Sequence, residues 1–91
     1  MGRRNIHVVL DQPLTVLNIT ERVYKTLSGR VTGLVFKVQD QGTFKTTSQV
    51  LRRELKAMGE QGLVPPFKCR IVQKGNALHF ADVVPIASAN Q

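Results

Sequence analysis

The hydrophobic pattern changes period twice along the chain. In residues 30–40, Leu34, Phe36 and Val38 fall on one side of an extended backbone, and Val35, Lys37 and Gln39 on the other. A second short run, 43–47, follows Asp40-Gln-Gly42, a hairpin turn in which Gly42 is free to take positive φ. The spacing then becomes helical over 48–58. Val50, Leu51, Leu55 and Met58 form an apolar stripe, and Arg52, Arg53 and Lys56 fall on the wet side. Thr47 or Ser48 supplies the cap and Gly59 the stop. After Pro65-Pro66 the period returns to two. Phe67, Cys69 and Ile71 alternate with Lys68 and Arg70, Lys74-Gly75-Asn76 turns the chain, and Leu78 and Phe80 share a face of the returning run 77–84, which Pro85 ends.

The first half is less sharply patterned. Residues 14–27 are rich in Val, Ile, Thr and Tyr, which favours a strand, although Leu14, Leu17, Val23 and Leu27 also fit a loose helical stripe. Extended, the segment puts Leu17, Ile19 and Val23 on one face and Thr20, Arg22 and Tyr24 on the other. Ser28-Gly29 is a turn signal. Residues 1–13 read as an N-terminal arm: a loose polar start to residue 5, then a short accessory strand over 6–10, broken at Asp11-Gln-Pro13. Residues 86–91 read as a loose tail.

The predicted order is strand, strand, strand, helix, strand, strand in one domain, 1–91. The run Gly42-Thr-Phe-Lys-Thr-Thr-Ser-Gln-Val-Leu51 and the run Phe67-Lys-Cys-Arg-Ile-Val-Gln-Lys-Gly-Asn-Ala-Leu-His-Phe80 resemble the back half of a small single-stranded DNA-binding protein of the oligonucleotide-binding (OB) fold. The likeness is architectural and extends over most of residues 14–85. It implies a mainly β, five-stranded OB-type barrel with one helix between strands 3 and 4. An SH3-like barrel or an unrelated α+β fold is compatible with the same pattern.

Charge adds a partner. Thirteen Lys and Arg stand against six acids, a net charge of +7, so the surface attracts polyanions. A nucleic-acid strand needs cations for its phosphates and flat groups for its bases. The resemblance implies that these come from the outer faces of the second and third strands and the flanking loops. Lys37 and Lys45 would sit on those strands, Arg22 and Tyr24 on the outer side of the first, and Arg30 and Lys74 in the loops. Phe44, Arg52, Arg53 and Lys56 are secondary candidates, with Phe44 as a barrel plug and the helical trio as solvated surface the plainer readings. Aromatics are 5% of the chain and Trp is absent, which favours phosphate contacts over base stacking. Single-stranded DNA, ahead of RNA, is the expected partner. Homo-oligomers would lengthen a short track. The charge fits equally well a second class, a small adaptor or inhibitor docking an acidic protein surface.

No Walker loop, paired-cysteine zinc pattern or nucleophile elbow occurs, and Glu21, Asp40, Glu54, Glu60 and Asp82 are scattered. His7 and His79 stand alone. The expectation is a binding protein with no enzymatic activity, no cofactor and no metal. One cysteine, Cys69, in an alternating run reads as a buried inert thiol and fits a reducing compartment. No apolar run reaches membrane-spanning length and residues 1–10 lack a leader pattern, so cytoplasmic residence away from the membrane is expected.

Overall fold

The computed structural model describes residues 4–86. Six strands form one sheet: β1 (Arg4–Asn5), β2 (Leu14–Thr26), β3 (Gly29–Val38), β4 (Gly42–Thr46), β5 (Phe67–Lys74) and β6 (Ala77–Pro85). One α-helix, α1 (Gln49–Glu60), lies between β4 and β5. The sheet order is β1-β4-β3-β2-β5-β6, and the sheet curls into a half-barrel. All neighbours are antiparallel except β1 with β4.

The expected five strands become six, and the helix follows the fourth strand instead of the third. The addition comes from the segment read as a loose arm. Arg4 pairs with Phe44 and Asn5 with Lys45, covering part of the β4 edge. The accessory strand expected over 6–10 is instead a 3-10 helix, Ile6–Val9, whose first turn is capped by the Asn5 side chain accepting from the His7 N–H at 3.0 Å. Its winding turns Ile6 and Val9 together into the core, at 0% and 4% exposure. An alternating strand would have sent one of them to solvent. Residues 1–3 of the arm and 87–91 of the tail lie outside the described residues.

The strand reading of 14–27 holds, but its faces shift. The register jumps between Val16 and Asn18, a bulge at Leu17. One unpaired residue reverses the alternation. Leu14 and Val16 therefore enter the core, while Leu17 stays 39% exposed. Beyond the bulge Ile19 faces inward opposite Phe36, and Thr20, Arg22 and Tyr24 face outward as expected.

The core runs from Ile6 through Leu14, Leu34, Phe36, Phe44, Leu51 and Phe67 to Ile71 and Leu78. Phe80 is half-buried, its ring 6.0 Å from those of Phe36 and Phe67. Ser48 caps α1 by accepting from the Leu51 N–H at 3.2 Å. The helix passes through Gly59, the expected stop, and ends one turn signal later. Leu63 N–H donates to Met58 O and Gly62 N–H to Gly59 O around a left-handed Gly62, a paired C-terminal motif. Glu54 ties α1 to β6: one carboxylate oxygen accepts the Phe80 backbone N–H at 2.8 Å, the other meets His79 Nδ1 at 2.7 Å. No helix among the described residues is long and apolar enough to cross a membrane.

Candidate nucleic-acid interface

The register of the central strands decides which side chains share a surface. Between β2 and β3, Asn18 opposes Lys37, Thr20 opposes Val35, Arg22 opposes Gly33 and Tyr24 opposes Val31. Between β3 and β4, Thr43 opposes Lys37 and Lys45 opposes Val35. Directly opposed residues point the same way. Leu34, Phe36 and Phe44 point into the core, so this alternate set forms the outer wall, called here the front face. Arg22, Lys37 and Lys45 are exposed on it, and no Asp or Glu occupies a front position from Asn18 through Lys45 on these three strands. Lys45 and Lys37 are diagonal neighbours, a spacing of roughly 7–8 Å at the backbone. Three cations with no acid among them keep the local potential positive at short range, where salt screens least.

Tyr24 shares this face but does not stand free on it. Its ring lies over Gly33: a Cβ added there would come within 2.9 Å of Tyr24 Cε2 and would collide with the Thr46 carbonyl oxygen. The Tyr24 hydroxyl is shielded from water and has no hydrogen-bonding partner among the described residues. The ring is half-buried and helps shape the wall, which narrows the stacking role expected of it.

The other candidates separate. Arg30 lies opposite Lys25, so it projects from the reverse of the hairpin, away from Arg22 and Tyr24. Lys74 ends β5 opposite Ala77, off the β2–β4 wall. The adjoining Asn76 borders a cavity of about 290 Å³ with Asn5, His7 and Thr46. Phe44 is fully buried opposite Phe36, with the Arg4 guanidinium 4.6 Å from its ring centroid; it is a core residue and offers a base no surface. Arg52 is committed within the fold, donating to Glu21 Oε2 at 3.2 Å and Gln49 Oε1 at 2.8 Å. Arg53 and Lys56 are exposed beside it.

Two features escaped the sequence reading. Lys25 belongs with Arg30, and the two-residue loop Leu27-Ser28 would have paired them by simple counting. Glu54 and His79, a scattered acid and a lone histidine in sequence, make one contact between α1 and β6 that only the fold creates. Cys69 is buried as expected, and burial pushes its thiol up to about 12, which keeps it neutral and unreactive at ordinary pH. Among the described residues no three His, Cys, Asp or Glu side chains converge as a metal cage would require.

The half-barrel, its helix and its acid-free front wall define a mainly β domain with a basic sheet surface. Compared with known proteins, the chain matches no family model, no curated protein and no solved structure.

Proposed function

We propose that this protein is a non-enzymatic, OB-type domain that binds single-stranded nucleic acid, DNA before RNA, through phosphate contacts on the front face. The observation that carries the reading is the convergence of Arg22, Lys37 and Lys45 on one acid-free wall built from three different strands. Convergence is what a polyphosphate needs, since each cation that replaces a condensed counterion adds to the same salt-dependent term. The connectivity supports the OB assignment. Setting aside the two-residue β1, five strands run in the order β4-β3-β2-β5-β6, and the helix joins the third of them to the fourth. Bases play the smaller part, because Tyr24 is half-buried against Gly33 and Phe44 is unavailable. The preference for sequence is therefore weak.

Fluorescence polarisation with labelled oligo(dT) across a salt series tests this. Binding should weaken linearly in log–log form as salt rises. Lys37→Gln with Lys45→Gln should flatten that slope by about 1.4, roughly 0.7 for each phosphate contact removed from a single strand. A protein that leaves oligo(dT) free at low salt, or binds it indifferently to salt, is not of this class.

A further inference from the structure

We propose that the reverse of the β2–β3 ribbon is a second phosphate track, with Lys25 and Arg30 as its grip and Arg53 and Lys56 continuing it onto α1. This inference rests on the single-strand-binding reading and adds a surface to it.

The ribbon is a two-stranded projection. β2 pairs with β5 only at Leu14–Val16, and β3 pairs with β4 only from Leu34 onward. The hairpin between Arg22 and Gly33 therefore has two open edges, and the molecule measures 46 × 30 × 24 Å. Val23 is 61% exposed and Leu27, at the tip, fully so. Such a ribbon is marginal by itself.

On its reverse face Lys25 and Arg30 are directly opposed. Like charges at opposed positions destabilise a pair of strands. The next reverse-face pairs are Val23 with Thr32 and Glu21 with Leu34, and the Glu21 carboxylate is already held by Arg52. Glu21 is two pairs removed from Lys25 and Arg30, and no acid stands directly beside them on this face. A phosphate bound between them would remove the repulsion and gain from both cations. Toward the core, Glu21, Arg53, Leu55 and Lys56 line a cavity of about 340 Å³, so the helical cations adjoin the same face.

Cations thus stand on both sides of a ribbon two strands wide, roughly 5 Å between backbones. A flexible single strand can pass around its open β2 edge from front to reverse. A duplex, stiff over about 150 base pairs, cannot. The occupant is accordingly one single strand touching both faces.

The test compares Lys25→Gln with Arg30→Gln against the front pair Lys37→Gln with Lys45→Gln, using labelled oligo(dT) over a salt series and thermal melts of the free proteins. The reverse pair should lose affinity at every salt concentration, with a slope shallower by about 1.4. Its free-protein Tm should stay level or rise, because a repulsion has gone. Wild-type affinity and slope in the reverse pair would overturn the inference and leave the front-face reading standing. Weaker binding accompanied by a lowered Tm would also overturn it, in favour of a structural role for the pair. If only the reverse pair matters, the front-face reading falls, and with it the path of one strand over both faces. If the wild-type protein ignores oligo(dT), both fall.

Discussion

Gly33 has little freedom to change, and the reason is local crowding. It is buried on the front wall between the Tyr24 ring and the Thr46 carbonyl, and a methyl group there meets backbone on one side. A carbonyl fixed in a strand yields less readily than a side chain. Gly33→Ala should cost about 1–3 kcal/mol, read as a shift in the urea midpoint with the slope unchanged. An unaltered midpoint would mean that Tyr24 and Thr46 move aside easily. Lys37 and Lys45 sit at the other extreme: exposed, on a solvated face, and replaceable without damage to the fold. That contrast makes their Gln variants clean probes of binding.

At the scale of elements, the decisive contact is between α1 and β6. A capped helix of 12 residues is marginal by itself, and α1 buries only Leu51 fully, with Leu55 and Met58 packed against the core beside it. Glu54 supplies two oxygens to β6, and both it and His79 are only 32% exposed. Glu54→Ala strands the Phe80 N–H and removes the partner of His79, and should cost about 1–3 kcal/mol. Glu54→Gln keeps an acceptor for Phe80 and should cost less. Amide hydrogen exchange along α1 would show the difference; equal protection in wild type and the Ala variant would assign α1's anchoring to the apolar stripe of Leu51, Leu55 and Met58. The hairpin bulge belongs to this scale too. One unpaired residue at Leu17 reverses which side chains of β2 face the core, and it thereby places Arg22 on the front wall beside β3 and β4.

For the whole molecule, the N-terminal segment is structural. Ile6, at 0% exposure, joins the core cluster with Leu14, Phe36 and Phe44, and Arg4–Asn5 covers the edge of β4. Ile6→Ala should cost about 2–5 kcal/mol, as in other well-packed cores. A loose arm would give a change within about 0.5 kcal/mol, so a denaturant titration separates the two. Charge also acts at this scale. A surplus of +7 sets a positive field over the whole surface, whereas the register concentrates part of that surplus on the two faces of one ribbon.

Much of the fold was legible because alternation is a local property. Leu34, Phe36 and Val38, and later Phe67, Cys69 and Ile71, announce buried faces by period alone, and all six are buried. The turns at Gly42 and Gly75 and the cap at Ser48 are local as well. The sequence by itself determined the order of the long strands and the single helix, the outward set Thr20, Arg22 and Tyr24, and the positive charge. Only the tertiary structure decided the parallel pairing of Arg4–Asn5, the bulge at Leu17 and the meeting of Glu54 with His79. Each of those depends on partners distant in the chain or on a one-residue slip, and neither leaves a trace in the period of a single segment.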